Sequence, residues 1–341
     1  MEKLKGFKGF DKDLKCRGFQ YEVGKEYEQK GKILCCDNGF HFCEDPIDVL
    51  DYYHPIDSRY CEVEGEGKID RGAKKVAVSH IHIGDELNWN DFINACVKFI
   101  FDKVNWNSAH ITNNANYSVA KNKGDSSAVT NNGERSVAMN AGYHSVAENN
   151  GCWSVSMNSD TKSVATNTGE RSVAMNVGYK SVATNSGYNS VAINSGVMSA
   201  AKNIGNCSVA INVGDNSIAT NSGYRSIVAN IGDYSVATNY GYKSVATNTG
   251  ERSVAMNDGY DSVAMNVGNY SNAKVGKKDS VAIVIGKHCK AAGVLGSWLV
   301  LTEHGCNSEI VDMKAVKVDG TTIKADTWYQ LKHGEVIEAE C

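Results

Sequence analysis

Proline is nearly absent: the chain of 341 residues has two, Pro46 and Pro55, both in its first sixth. The fold of the remainder excludes proline, as a stack of central strands does, because there nearly every backbone N–H must donate to a neighbour. An excess of positive charge is missing too. The formal net charge is −4, so no basic field attracts nucleic acid or an anionic membrane, and the chain is not acidic enough to mimic DNA. Long apolar runs are lacking. A stretch such as Val294 to Leu301 falls far short of the roughly 18 residues that read as a membrane span, and Met1-Glu-Lys-Leu-Lys leads into no apolar core of a secretion signal. The eleven cysteines are odd in number and scattered from Cys16 to Cys341, without the spacing of a disulfide framework. They predict free thiols in a reducing environment. These absences together predict a cytoplasmic protein, or one associated with a virion, with no nucleic-acid and no membrane partner.

What the sequence does have is repetition. From Ser118 to His288 it reads as nineteen nine-residue units of the form S-V-A-x-N-x-G-x-x, with no insertion. Position 1 is always Ser; position 5 is Asn in seventeen units, with Val275 and Val284 closing the series. Position 7 is Gly in seventeen, Asp160 and Lys277 being the exceptions, and position 2 is Val or Ile in sixteen. A Gly and an Asn in every unit would cost a helix about 1 kcal/mol or more, and no helical apolar stripe exists. A strand S-V-A-x-N followed by a turn x-G-x-x satisfies each preference, with glycine supplying positive φ where the turn needs it. The expected fold is a parallel β-solenoid with two nonapeptides per coil, nine or ten coils, and a rod of about 45 Å.

In an extended strand positions 1, 3 and 5 share one face, and 2 and 4 the other. Ser, Ala and Asn are nearly invariant, whereas position 4 wanders through Met, Thr, Ile, Lys121, Glu148 and Lys202. The invariant set is therefore assigned to a narrow core, with an asparagine ladder at Asn122, Asn140, Asn158, Asn176, Asn194, Asn212, Asn230, Asn248 and Asn266. The opposite assignment, with the Val row inside, is the alternative. With the narrow core, Val137, Val155, Val173, Val191, Val209, Ile227, Val245 and Val263 form an outward stripe suited to self-association into a homo-oligomer. Tyr143, Tyr179, Tyr188, Tyr224, Tyr242 and Tyr260 recur at position 8, where amphipathic rings suit a protein or glycan partner.

Residues 1–105 differ in composition and read as an α+β globular head. Strands are expected over Tyr60–Glu66 and Lys75–Ile83, and a helix over Asp91–Lys103 capped by Asn88 or Asn90. Val104 to Tyr117 reads as a degenerate first coil, so the solenoid is assigned to 106–290. Residues 291–341 alternate in strand fashion and form a small β cap, with a hairpin turn expected at Asp319-Gly320.

The stretches FKGFDKDLKCRGFQYEVGKEYE, GFHFCEDPIDVLDYY and YCEVEGEG resemble an uncharacterised N-terminal domain of bacterial and phage proteins. In those relatives it is often followed by nine-residue units and an ending like KAVKVDGTTIKADTWYQL. The resemblance implies this architecture and a phage or prophage setting. The nonapeptide is also similar to the repeats of trimeric adhesin heads, which form parallel β-rolls. The order of a basic position, an aromatic block and a strand carboxylate resembles the core of ADP-ribosyltransferases. That resemblance would give Lys8, His41, Glu62 and Glu64 the catalytic roles, with Lys8 standing where those enzymes carry Arg or His.

Other constellations have plain structural readings. The repeat has no recurrent turn Asp of the calcium-binding kind. Cys35, Cys36, His41 and Cys43, with His80 and His82, carry soft ligands but no C-x-x-C pair. Thr166, Thr184, Thr220, Thr238 and Thr247 occupy position 4 in an interrupted row. No metal and no cofactor is expected, and the leading reading is a non-enzymatic structural or binding protein.

Overall fold

Local sequence and register divide the chain into two units, Met1–Asp102 and Lys103–Cys341, in a computed structural model that describes residues 3–103 and 110–339. In the first unit an antiparallel sheet is laid down by β1 (Leu4–Asp11), a small hairpin of β2 (Lys15–Cys16) and β3 (Phe19–Gln20) lies beside it, and β4 (Glu26–Glu28) and β5 (Phe40–Phe42) follow. The long strands β6 (Ser58–Arg71) and β7 (Val76–Glu86) form the central hairpin, and α1 (Trp89–Lys103) ends the unit. The sheet order is β1-β6-β7-β4, with β5 also pairing to β7. The helix begins two residues before the expected Asp91, and of the two candidate caps Asn88 serves: the Asp91 N–H donates to Asn88 Oδ1 (3.1 Å), and Asn88 Nδ2 donates to the Asp91 carboxylate (2.7 Å), a reciprocal cap. Both prolines sit in this unit. Pro46 opens a 3-10 turn, Pro46–Asp51, that Asp45 caps through the Ile47 N–H (3.2 Å).

The second unit is the expected parallel β-solenoid. Four-residue strands β8 (His110–Asn113), β9 (Val119–Asn122) and so on to β28 (Lys290–Gly293) alternate between two sheets, sheet I beginning with β8 and sheet II with β9. Partners within a sheet lie one coil apart, as in Val155↔Val173 and Val164↔Val182. Two nonapeptides therefore make one coil. The stack has about 11 turns, more than the nine or ten expected, because the winding outruns the recognisable repeat at both ends. His110–Asn113 pairs in register with Ala128–Asn131, while 104–109 of the expected first coil lie outside the described residues. After the nineteenth unit Cys289 stands where serine had stood, accepting the Ser271 N–H (3.4 Å) and donating to Gly268 O (3.0 Å).

Positions 1, 3 and 5 fill the interior of both sheets. Ala174, Ala192 and Ala210 are wholly buried, and so are Asn176, Asn194 and Asn212. The buried serines and asparagines bond in a recurring pattern, from which Asn131 Nδ2 and Asn230 Oδ1 depart, buried without a partner among the described residues. Asn194 Nδ2 donates to Ser181 O (2.7 Å) and Ala200 O (3.0 Å), and its Oδ1 accepts the Gly196 N–H (3.0 Å). Ser172 donates its N–H to Ser190 Oγ one coil on (3.0 Å), and its hydroxyl points at Gly151 O (3.2 Å) and Glu170 O (3.0 Å). A core this narrow gains little from aliphatic burial, so satisfied coil-to-coil bonding supplies cohesion and fixes the register.

The glycines serve a different purpose from the one expected. Position-7 glycines do not adopt positive φ; that conformation belongs to position 9, where Arg171 (53°), Met198 (54°), Tyr234 (53°) and Asp279 (59°) lie in the left-handed region. Position 7 needs glycine because a Cβ on Gly187 would collide with the carbonyl oxygen of Gly169 in the coil below and sit 2.8 Å from Ser190 Oγ. Asp160, one of the two exceptions, marks the cost. Its N–H lies 3.5 Å from Asn158 Oδ1, and the neighbouring Ser159 N–H reaches Asn140 O at 3.3 Å.

At the C-terminal end, β29 (Trp298–His304) still pairs parallel with the coil below, from Val281↔Trp298 to Ile283↔Val300. β30 (Ile310–Lys317) folds back on it antiparallel, and β31 (Tyr329–Lys332) and β32 (Glu335–Glu338) close sheet I. The hairpin expected at Asp319-Gly320 is not one. Asp319 Oδ1 accepts the N–H groups of Thr321 (2.8 Å) and Ile323 (3.1 Å), so this segment is an Asx-stabilised bend in the crossover from sheet II to sheet I. The tight hairpin turn is His333-Gly334, with φ of 52° and 71°, the two positive values of a type I′ turn.

Candidate functional site

Because strand side chains alternate, positions 2 and 4 of each strand lie on the face opposite positions 1, 3 and 5. On sheet II these make a continuous apolar surface. Val137, Val155, Val173, Val191, Val209, Ile227, Val245 and Val263 are stacked in register from coil to coil. They are half-buried, except for exposed Ile227. Beside them runs a column of Met139, Met157, Met175, Ile193, Ile211, Ala229, Thr247 and Met265, and two residues further along the chain stand exposed Val177, Val213, Ile231 and Val267. No charged side chain interrupts the three columns between Val137 and Val267. Sheet I is unlike it. Its position 4 carries Glu148, Lys202 and Lys274, its position-6 side chains form a polar ladder, Thr168 to Asn150 to Asn132 (both 2.8 Å), and its Val146, Val164, Val182 and Val236 are buried. The signal for this asymmetry is present in the sequence: position 4 runs Met139, Glu148, Met157, Thr166, Met175, Thr184, Ile193, Lys202, alternating unit by unit.

The turn tyrosines are exposed, but they do not form one platform. Tyr143 and Tyr179 follow sheet II strands, whereas Tyr188, Tyr224, Tyr242 and Tyr260 follow sheet I strands. Tyr224 and Tyr242 stack on each other with centroids 5.7 Å apart and planes 14° from parallel. Arg225 and Lys243 lie over the same two rings. Ring faces used in this way brace the turn edge. The threonines are divided as well: Thr166, Thr184, Thr220 and Thr238 lie on sheet I, the last two buried, and Thr247 lies on sheet II. They do not make a flat exposed array.

In the first unit, Lys8 and His41 meet and the two glutamates do not join them. Lys8 is buried, and its ammonium donates to the backbone oxygen of His41 (2.7 Å) at the wall of a cavity of about 430 Å3. The surroundings of the His41 ring favour its neutral form: its Nε2 accepts the Cys36 N–H (2.9 Å), and burial together with the positive charges of Lys8, Lys75 and Arg17 lowers its pKa. Glu62 and Glu64 are not in the cavity wall. Glu64 instead pairs with Lys3 (3.9 Å) and Lys5 (3.5 Å). Cys35 points its thiol to Lys75 O (3.6 Å), and His80 and His82 face Glu28 and Glu26 across β7 and β4. Among the described residues no group of three or more His, Cys, Asp or Glu side chains is placed to hold a metal. No disulfide joins the described cysteines, and no described helix is long and apolar enough to cross a membrane.

Residues 4–95 match a family model described as a domain of unknown function, DUF7666. No curated protein and no solved structure matches the chain.

Proposed function

We propose that this chain is a non-enzymatic structural β-solenoid that self-associates face to face through the apolar surface of sheet II, in the phage or prophage setting that its resemblance implies. The observation that carries the reading is the uncharged face of sheet II over eight coils: a Val/Ile column, a Met/Ile column broken by Ala229 and Thr247, and a third in which Val177, Val213, Ile231 and Val267 are interspersed with Ala141, Ser159, Ser195 and Thr249. Columns about 6.6 Å apart over about 38 Å of stack amount to about 750 Å2 per partner, close to the roughly 800 Å2 of a standard stable interface. A second copy fits this surface better than an unrelated partner, because both faces repeat with the same coil spacing. A two-fold axis parallel to the stack lays the position-2 column of one copy over the position-6 column of the other and sets the Met/Ile columns against each other. Their unbranched methionines can fill the gaps.

Sedimentation of the intact chain tests this. A dimer is expected at micromolar concentration, and the double variant Val191→Lys with Ile211→Lys should weaken it by more than about 100-fold by placing unpaired charges in an apolar interface. Tyr188→Ser, on a turn edge, should leave it unchanged. A wild-type chain that sediments as a monomer up to high concentration overturns the reading.

A further inference from the structure

The cavity of the first unit is built from segments far apart in sequence. Lys8 comes from β1, Cys16 from β2, Arg17 from the β2–β3 turn, and Lys75 from the entry to β7. Its walls are aromatic, with Phe19, Tyr52 and Tyr53 among them. Glycine inside β1 makes room for one of these walls: a Cβ on Gly9 would run into the Tyr53 ring, 2.5 Å from its Cγ. Interior strand glycines give up sheet stability, and here the return is a tyrosine packed close against the backbone. The Tyr53 hydroxyl then reaches Cys16 Sγ (2.9 Å).

The charge of this cavity is one-sided. Lys8 is 3% exposed, and its ammonium donates to His41 O (2.7 Å) and Cys16 Sγ (3.5 Å), with the Phe10 and Tyr21 rings 5.4 and 5.3 Å away. Arg17 and Lys75 add two more cations, and among the described residues none of the three forms an ion pair with a carboxylate. Lys75 lies over the Tyr52 ring at 4.6 Å. Asp37 is the one acidic residue in the wall. A buried ammonium without a carboxylate beside it is costly to maintain, and burial accordingly lowers the pKa of Lys8. The same positive field acts on the His41 imidazole, lowering its pKa after burial has done so.

We infer that this cavity is a binding site for a small anion carrying a flat ring, a carboxylate or a phosphate monoester, with Lys8 as its buried counter-charge, Arg17 and Lys75 at the mouth, and Tyr52, Tyr53 and Phe19 against the ring. The volume suits a ligand of that class. Cations supply charge pairing and aromatic walls supply stacking area, so neither ring nor charge alone satisfies the site. This site is independent of the sheet II surface.

Calorimetric titration of the full chain with matched probes decides it. Benzoate and phenyl phosphate carry ring and charge, benzamide carries the ring alone, and acetate and inorganic phosphate carry the charge alone. At least one of the first two should bind about tenfold more tightly than benzamide and than its ringless counterpart, and which of them does so separates a carboxylate site from a phosphate site. Lys8→Met, which keeps the buried stem and removes the charge, should weaken that binding by about tenfold or more and abolish the preference over benzamide. If Lys8→Met fails to fold, Arg17→Gln and Lys75→Gln serve, each expected to weaken the charged probe severalfold and leave benzamide unaffected. Equal binding of charged and neutral rings, absence of binding by both ring anions, or unchanged affinity in these variants overturns the assignment.

Discussion

An asparagine such as Asn194 bonds three backbone groups from different segments, so its removal is felt well beyond its own volume. Asn194→Ala leaves the Gly196 N–H without its acceptor and removes one donor from the carbonyls of Ser181 and Ala200, the first of which keeps the Ala200 N–H (3.0 Å). At about 1–3 kcal/mol for a buried unsatisfied group, a loss of about 1–3 kcal/mol is expected, read as a lower midpoint in urea denaturation. Position 7 and position 9 should respond in opposite senses to small changes. Gly187→Ala drives a methyl into the Gly169 carbonyl and should destabilise by about 2 kcal/mol or more. Asp279→Gly relieves an exposed non-glycine residue held at φ 59° and should stabilise by up to about 1 kcal/mol. Thermal melts of the two variants should move in opposite directions. The glycine role was hidden in the sequence because positive φ and close backbone approach select the same residue; only the spacing of coils tells them apart.

At the level of elements, legibility followed periodicity. The solenoid strands and their pairing two units apart could be read directly, since both rest on nine-residue spacing, whereas for α1 the sequence left Asn88 and Asn90 both open as caps and the helix starts two residues before Asp91. The Asp319-Gly320 hairpin was misread because a carboxylate that captures two N–H groups has the same dipeptide signature as a type I′ turn, and the chain's need to change sheets there is a non-local fact. The cavity had no sequence signal at all. Lys8, Arg17, Tyr53 and Lys75 are joined by the pairing of β1 with β6 and of β6 with β7. The same assembly carries a pH dependence. The pKa of His41 is lowered from its ordinary 6.5, so the folded state favours the neutral ring. That contribution to stability is fully present above pH 6.5 and is lost as pH falls through the depressed value. Hydrogen exchange at β5 and β7 should quicken as pH drops below about 6.5, relative to the intrinsic rate, and His41→Gln should flatten the trend.

For the molecule as a whole, stability and interaction lie on separate sets of positions. Positions 1, 3, 5 and 7 hold the coils together and tolerate almost no variation along the stack. On sheet II, positions 2, 4 and 6 make up the surface of the face. Solenoid stability is a sum of nearest-neighbour terms between coils, so changes at the outward positions should alter association without altering melting. The Val191→Lys, Ile211→Lys chain is expected to melt, when measured at concentrations where both chains are monomeric, within about 1 kcal/mol of wild type. A large loss of stability in that monomer would mean that these columns belong to the interior.

Fourteen residues, SVATNTGERSVAMN, occur identically at 163–176 and at 244–257, yet the first copy places its methionine on sheet II and the second on sheet I. Nine units separate them, an uneven count. Membership of a face is thus inherited from arithmetic parity, and a genetic duplication or loss of a single unit would transpose every downstream side chain to the opposite side, while one of eighteen residues would pass silently. Excising 172–180 should scramble the recognition surface and leave the winding intact; excising 172–189 should merely shorten it.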